Sequence, residues 1–116
     1  MPTISPSQIS PSSSAANIVT WSGMATGDTI NSWEVKGTSA AVASLQISGT
    51  FNGGTTAVMQ VSNDGSTWFT AKDTQGDDVS ATANAYFEIS VASRYVRFSV
   101  ASGSSDSVTA VLVMRG

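Results

Sequence analysis

Strand-length runs of alternating apolar and polar residues are the feature that most limits what this chain can fold into. The stretch AAVASLQISGTF, residues 40–51, places these apolar side chains on one face of an extended chain: Ala43, Leu45, Ile47 and Phe51. Serine, glutamine and threonine fall on the other face. A period of two with one apolar face is typical of a half-buried antiparallel strand. The pattern recurs in residues 56–62, 85–92 and 94–101, so strands are predicted to dominate the fold.

The spacing of the candidate strands predicts how they assemble. Turn residues divide the chain into about eight strands at intervals of roughly 8–12 residues, the rhythm of a sandwich or barrel. The last candidate, residues 108–114, is apolar on both faces, which indicates a central strand or one covered by another subunit. We therefore predict an all-β fold, an antiparallel, jelly-roll-like β-sandwich over residues 17–116.

Residues 1–16, MPTISPSQISPSSSAA, form a segment of different composition. Three prolines interrupt a serine-rich stretch in which Ile4 and Ile9 are the sizeable apolar side chains besides Met1. Proline fixes φ and lacks an amide donor, so this segment is predicted to be extended and poorly able to pair in a central sheet. Two interpretations stay open: a disordered tail, or an arm whose isoleucines dock on a neighbouring subunit.

The charge balance limits the class of partner. The chain carries 8 acidic and 5 basic residues, a net charge of -3, with charged residues at 11% of the total. No run of lysine or arginine could follow a phosphate backbone, so nucleic acid is not an expected partner. No apolar stretch approaches the roughly 20 residues of a membrane span, so no membrane partner is expected.

The absence of histidine and cysteine argues against an enzyme. A serine nucleophile needs a nearby base, which here would have to be Lys36 or Lys72, and neither lies in a Ser-x-x-Lys arrangement. The paired-carboxylate alternative rests on one loop, DTQGDD at residues 73–78, where nothing nearby in sequence resembles a substrate cleft.

The same loop is the best metal candidate. Asp73, Asp77 and Asp78 surround a glycine and could supply oxygen ligands to Ca²⁺, although their spacing does not match an EF-hand. A solvated acidic loop is favoured, so no cofactor is expected.

Aromatic and basic side chains offer binding alternatives. These rings could stack on sugars, although packing in or at the ends of the core is the favoured role: Trp21, Trp33, Trp68, Tyr86 and Tyr95. Arg94 and Arg97 could bind a carboxylate or an acidic partner surface. Cross-strand pairing with Glu88 or with an aspartate explains the two arginines equally well.

The stretch VSNDGSTW, residues 61–68, is interpreted as a turn. Asn63 and Asp64 suit the centre of a type I turn and Gly65 suits the left-handed position after it, which predicts a three-residue hairpin with a glycine bulge. Serines on either side can bond nearby backbone groups. Trp68 is then predicted to act mainly in packing.

Two segments together carry a family resemblance. VSNDGSTWFT at residues 61–70, followed about thirty residues later by SRYVRFSVASG, resembles discoidin-like (F5/8 type C) jelly-roll domains, many of which bind carbohydrate or lipid. The pair also resembles small all-β virion proteins of tailed bacteriophages. The resemblance covers residues 49–114, and the chain lacks the cysteines and much of the length of a discoidin-like domain.

The phage resemblance implies a structural role. It implies a capsid decoration (cement) protein that assembles as a homo-oligomer on the major capsid protein, or on another virion protein, and resides in the virion after assembly in the host cytoplasm. Under this hypothesis Ile4 and Ile9 are arm anchors, and Arg94 and Arg97 are polar contacts at the rim. The alternatives are a carbohydrate-binding module on a virion or cell surface and a tail or fibre component.

Overall fold

The computed structural model describes residues 3–9, 17–35, 42–89 and 93–115, and within these ranges it contains twelve β-strands and turns without a helix. The strands are β1 (Thr3–Ile4), β2 (Ser7–Ile9), β3 (Asn17–Met24), β4 (Thr29–Ile30), β5 (Trp33–Glu34), β6 (Val42–Thr50), β7 (Thr56–Ser62), β8 (Phe69–Thr70), β9 (Ser80–Ala81), β10 (Ala85–Ile89), β11 (Tyr95–Ala101) and β12 (Ser107–Arg115). The described ranges include no helix long and apolar enough to cross a membrane.

Ten of the described strands form two antiparallel sheets that pack as a sandwich, and β1 and β4 form a separate two-stranded parallel sheet. The first sheet has the order β10-β6-β12-β3-β2, and the second has the order β5-β11-β7-β8, with β9 also paired to β7. Four strands of the first sheet, β10-β6-β12-β3, face β5-β11-β7-β8 of the second, which is the strand order of a jelly roll. The predicted all-β, jelly-roll-like sandwich is confirmed, and β1, β2, β4 and β9 are short additions to its eight strands.

The alternation in the sequence sets which side chains meet between the sheets. Strand β12 lies between β6 and β3, so its position in the middle of a sheet accounts for its apolar character on both faces. Trp21 of the first sheet and Phe98 of the second are buried and meet edge to face, with ring centroids 4.9 Å apart. Burial of two large rings in this geometry stabilises the contact between the sheets.

Residues 29–35 form two short strands that pair with different partners. The backbone N–H of Asn31 donates to the Ile4 carbonyl at 2.8 Å, and the Asn31 carbonyl accepts from the indole N–H of Trp21 at 2.9 Å. The segment therefore divides after β4, which pairs with β1, and continues as β5, which pairs with β11.

The N-terminal segment folds onto its own chain. Strand β2 pairs with β3 in the register Ser7↔Thr20 and Ile9↔Ile18, and it forms the edge of the first sheet. The side chain of Ile4 is half-buried and packs against the core, so Ile4 has an intramolecular contact. Docking of Ile4 and Ile9 on a neighbouring subunit stays a prediction, and residues 10–16 of the predicted arm lie outside the described residues.

Candidate functional site

The outer face of the second sheet carries the two arginines singled out in the sequence. Along β11, Val96, Phe98 and Val100 are buried, while the alternate side chains, including Arg97, lie toward the outside. Arg94 immediately precedes the strand. The predicted orientation of this strand is confirmed, and it places both guanidinium groups on the surface of one sheet.

Arg94 forms an ion pair that the sequence did not indicate. Its Nε donates to Glu34 Oε2 at 3.0 Å, and its guanidinium lies 5.1 Å from the ring centroid of Tyr95. The hydrogen bond to Glu34 raises the pKa of Arg94 above its usual value. The suggestion that Glu88 or an aspartate pairs with Arg94 is wrong, because β5 lies beside β11 whereas Glu88 belongs to the other sheet.

Arg97 is held by an amide and an aromatic ring. Its Nε donates to Gln60 Oε1 at 2.8 Å, across the pair Arg97↔Gln60 of β11 and β7. Its guanidinium carbon lies 4.1 Å from the centroid of the Trp68 ring, which is within the range of a cation–π contact. Trp68 is half-buried, and its ring packs against the Arg97 guanidinium.

A polar groove runs beside Arg97. It has a volume of about 320 Å³, and the sheet and the segment before β4 line it with Asp28, Thr29, Ile30, Gln60, Arg97, Phe98, Ser99 and Val100. Oδ2 of Asp28 accepts the backbone N–H of Ala25 at 3.0 Å, which fixes the position of this carboxylate. The groove is therefore lined by one cationic side chain, that of Arg97, and by one carboxylate side chain, that of Asp28.

The loop between β7 and β8 is longer than predicted. The last ladder pair is Val61↔Phe69, so residues 63–68 connect the strands and the expected three-residue hairpin is wrong. Asp64 replaces the missing ladder bonds: its Oδ1 accepts the backbone amides of Ser66 and Thr67, each at 2.8 Å. A carboxylate that accepts two backbone amides in this way fixes the conformation of the loop.

The electrostatics of the loop agree with this structural role. The backbone amides of Thr67 and Ser66 lower the pKa of Asp64 from 3.8 to about 2. Gly65 adopts the predicted left-handed conformation, with φ of 77°, and lies against the Tyr95 ring. Asn63 Oδ1 accepts the backbone N–H of Arg94 at 3.0 Å, so the loop is tied to the start of β11.

The three aspartates of residues 73–78 act separately. Asp73 Oδ1 accepts the backbone amides of Gln75 and Asp77 at 2.9 and 3.0 Å, and Asp78 forms an ion pair with Lys72. In the described parts of the chain, no group of three or more acidic side chains is placed to hold a metal ion. The carboxylates of this loop therefore cap a turn and pair with a lysine.

Four large aromatic side chains lie at the extremes of burial and exposure. Trp21 and Trp33 are buried, as the core interpretation expects. Phe69 and Tyr86 are 64% and 62% exposed. Strands β8 and β10, which carry them, lie at the same lateral edge of the sandwich, because the backbone N–H of Thr74 donates to the Glu88 carbonyl at 3.1 Å across that edge.

A buried polar cluster at one end of the sandwich was missed in the sequence. Asp106, which is 8% exposed, accepts the backbone N–H of Thr26 at 3.0 Å and the hydroxyls of Thr26 and Thr55 at 2.7 and 2.8 Å. The Thr26 hydroxyl in turn accepts the N–H of Gly103 at 3.0 Å. Three loops meet at this carboxylate, and since its partners are 51 and 80 residues away, no local motif could reveal it.

Comparison with known proteins identifies a shared fold. The sequence matches no protein-family model and no curated protein sequence. Among solved structures, the fold is similar to the crystal structure of SPBc2 prophage-derived protein YomS, with a TM-score of 0.63 and 11% sequence identity. The similarity covers 90% of this chain and 99% of that chain, so the two share the whole sandwich.

Proposed function

We propose that this protein is a structural component of a bacteriophage virion, and that it decorates the capsid as a cement protein. The observation that carries the proposal is the fold shared with a prophage-derived protein over 90% of this chain. The phage resemblance of residues 61–70 and 93–103 points in the same direction, whereas the discoidin-like resemblance of these segments stays a prediction.

Adhesion is the mechanism that the chemistry of the chain supports. The chain has no histidine or cysteine, and the carboxylates of Asp64, Asp73 and Asp106 are engaged in fixing turns and loops. Cement function needs contact surface instead. Repeated copies on a shell would stabilise it through many weak contacts to the major capsid protein and to one another.

The lateral edge that carries Phe69 and Tyr86 is the contact surface we favour. Both rings are more than half exposed, and exposed aromatic side chains supply a large share of binding energy when a partner buries them. The anchoring roles proposed for Ile4, Ile9, Arg94 and Arg97 are additional contacts under the same hypothesis.

The test combines location and binding. Mass spectrometry of purified particles of the encoding phage should detect the protein at many copies per particle, and capsids that lack it should bind added protein and open at a higher temperature. The double variant Phe69→Ser/Tyr86→Ser should fold normally and bind capsids at least about tenfold more weakly, because it removes exposed rings only. The matched control is Thr70→Ala at an exposed neighbouring position. Absence from particles refutes the proposal, and presence in isolated tails alone places the protein among tail or fibre components.

A further inference from the structure

Arg97 differs from the other cationic side chains that the structure describes. Lys72 is paired with Asp78 and Arg94 is paired with Glu34. No carboxylate among the described residues lies within ion-pair distance of Arg97, and its recorded hydrogen bond uses Nε alone. The edge of the guanidinium formed by its two Nη atoms is therefore available for a ligand.

The side chain of Arg97 is already oriented for binding. Gln60 fixes Nε at 2.8 Å and the Trp68 ring covers one face of the guanidinium at 4.1 Å. An arginine on the surface normally loses considerable rotamer freedom when it binds, and two existing contacts reduce that loss. A fixed planar guanidinium with two parallel N–H donors matches the two oxygens of a carboxylate.

The size and the polar lining of the groove beside Arg97 limit which carboxylate ligands it can hold. Its volume of about 320 Å³ lies at the low end of the range for small-molecule sites, roughly 300–1,000 Å³. Ser99, Thr29 and Gln60, which carry hydroxyl or amide groups, line it together with Asp28. A ligand that carries only negative charge would be repelled by Asp28, whereas a hydroxyl group can donate to it.

We propose that this groove binds a saccharide residue that bears a carboxylate, such as a uronic or sialic acid. The carboxylate contacts the Nη edge of Arg97, and ring hydroxyls donate to Asp28 and exchange hydrogen bonds with the other polar groups of the groove. This binding activity lies beyond the cementing role, and it gives a virion protein a means to contact acidic polysaccharide on a cell surface.

Titration with matched saccharides tests the proposal on the purified full chain. The acidic probes are trigalacturonate and 3′-sialyllactose, and the controls are a neutral galactose trisaccharide, lactose and acetate. Trp68 should report binding through its fluorescence, because the ligand contacts the guanidinium that covers its ring. We expect saturable binding of at least one acidic saccharide, and affinity at least about tenfold lower for its neutral counterpart and for acetate.

Two arginine variants separate a specific site from general charge attraction. Arg97→Gln should weaken binding of the acidic saccharide at least about tenfold, and Arg97→Lys should restore part of it, since lysine keeps the charge but loses the paired donors. Arg94→Gln is the matched control: it removes the same charge beside the same strand and should change affinity less than about twofold. Near-ultraviolet circular dichroism checks that each variant is folded.

Four results would overturn the proposal. They are absence of saturable binding by both acidic saccharides, equal affinity for the neutral counterparts, equal affinity for acetate, and an equal loss in Arg94→Gln and Arg97→Gln. If neither acidic saccharide binds and Arg97→Gln binds capsids more weakly than the wild type, Arg97 contacts a protein partner. That result also refutes the saccharide proposal. Because the titration contains no capsids, its failure leaves the cement hypothesis to its own test.

Discussion

Replacement of Thr55 by valine should measure how strongly the Asp106 cluster holds one end of the sandwich. Thr55 is 1% exposed, and its hydroxyl lies 2.8 Å from both Asp106 Oδ2 and the Asn52 carbonyl, while the Asn52 N–H donates to it at 3.2 Å. Valine has nearly the same shape but no hydroxyl. Because the change removes a hydrogen bond to a buried charged group, we expect the free energy of unfolding to fall by about 2–3 kcal/mol.

Urea unfolding followed by the fluorescence of the buried Trp21 and Trp33 provides the measurement. With a slope of about 1–3 kcal/mol per molar urea, a loss of about 2–3 kcal/mol lowers the midpoint by roughly 0.7–3 M at an unchanged slope. The control is Thr56→Val, the next residue, which is half-buried on the outer face and makes no recorded side-chain hydrogen bond. It should change stability by less than about 0.5 kcal/mol. Equal effects of the two variants would refute the reasoning.

The effect of Thr55→Val should also depend on pH. The backbone amide of Thr26, followed by the hydroxyls of Thr26 and Thr55, lowers the pKa of Asp106 below its usual 3.8. A carboxylate with a lowered pKa in the folded state contributes stability above its unfolded pKa and loses it as pH falls through the folded value. The difference between wild type and variant should therefore shrink below about pH 4, and a difference that is constant down to about pH 2 would contradict this account.

Three further predictions concern the loops and the N-terminal strand. Gly103→Ala should destabilise the fold by about 3 kcal/mol or more, because its Cβ would lie 1.9 Å from the buried hydroxyl of Thr55. The control is Gly76→Ala, whose Cβ would meet no atom within 4 Å and which should cost only the strain of its positive φ, about 1–2 kcal/mol. Thermal melts measure both variants. In the wild type, the amides of the Asp64 loop should lose protection from hydrogen exchange as pH falls from about 4 toward 2, since the pKa of Asp64 is lowered to about 2. In Asp64→Ala, these amides should be unprotected at every pH. In this chain without cysteine, the double variant Ser7→Cys/Thr20→Cys should form a disulfide within one chain, because facing residues of antiparallel strands have suitable spacing; linked dimers on a non-reducing gel would show instead that the strand docks on a neighbour.

The strands in which apolar and polar residues alternate were predictable, because this pattern shows which face of the strand is buried. The run TAVMQVS gives β7 its bounds of residues 56–62, and Val96, Phe98 and Val100 point inward as their spacing requires. Such a pattern needs no knowledge of the partner strand. The apolar character of β12 on both faces indicated either a central strand or one covered by another subunit, and β12 lies in the middle of its sheet.

The features that sequence reasoning missed depend on contacts between distant residues. The loop after β7 has six residues instead of three because the Asp64 side chain, rather than the strand ladder, satisfies the amides there. The N-terminal prolines indicated an extended arm, but Ser7–Ile9 pair with the edge of β3. No local pattern in the sequence could predict this pairing. The partner of Arg94 likewise follows from the pairing of β5 with β11.

Scarcity of charge makes the remaining charged groups informative. Charged residues are 11% of this chain, and most of those described stabilise the chain itself by capping turns, joining loops or pairing with one another. Arg97 is fixed by Gln60 and Trp68 and lines a polar groove, yet no carboxylate of the described residues lies within ion-pair distance of it. A carboxylate ligand requires a guanidinium that is oriented but not already neutralised, and Arg97 meets this requirement whereas Arg94 is paired with Glu34. Arg97→Gln should therefore weaken binding of an acidic saccharide much more than Arg94→Gln does.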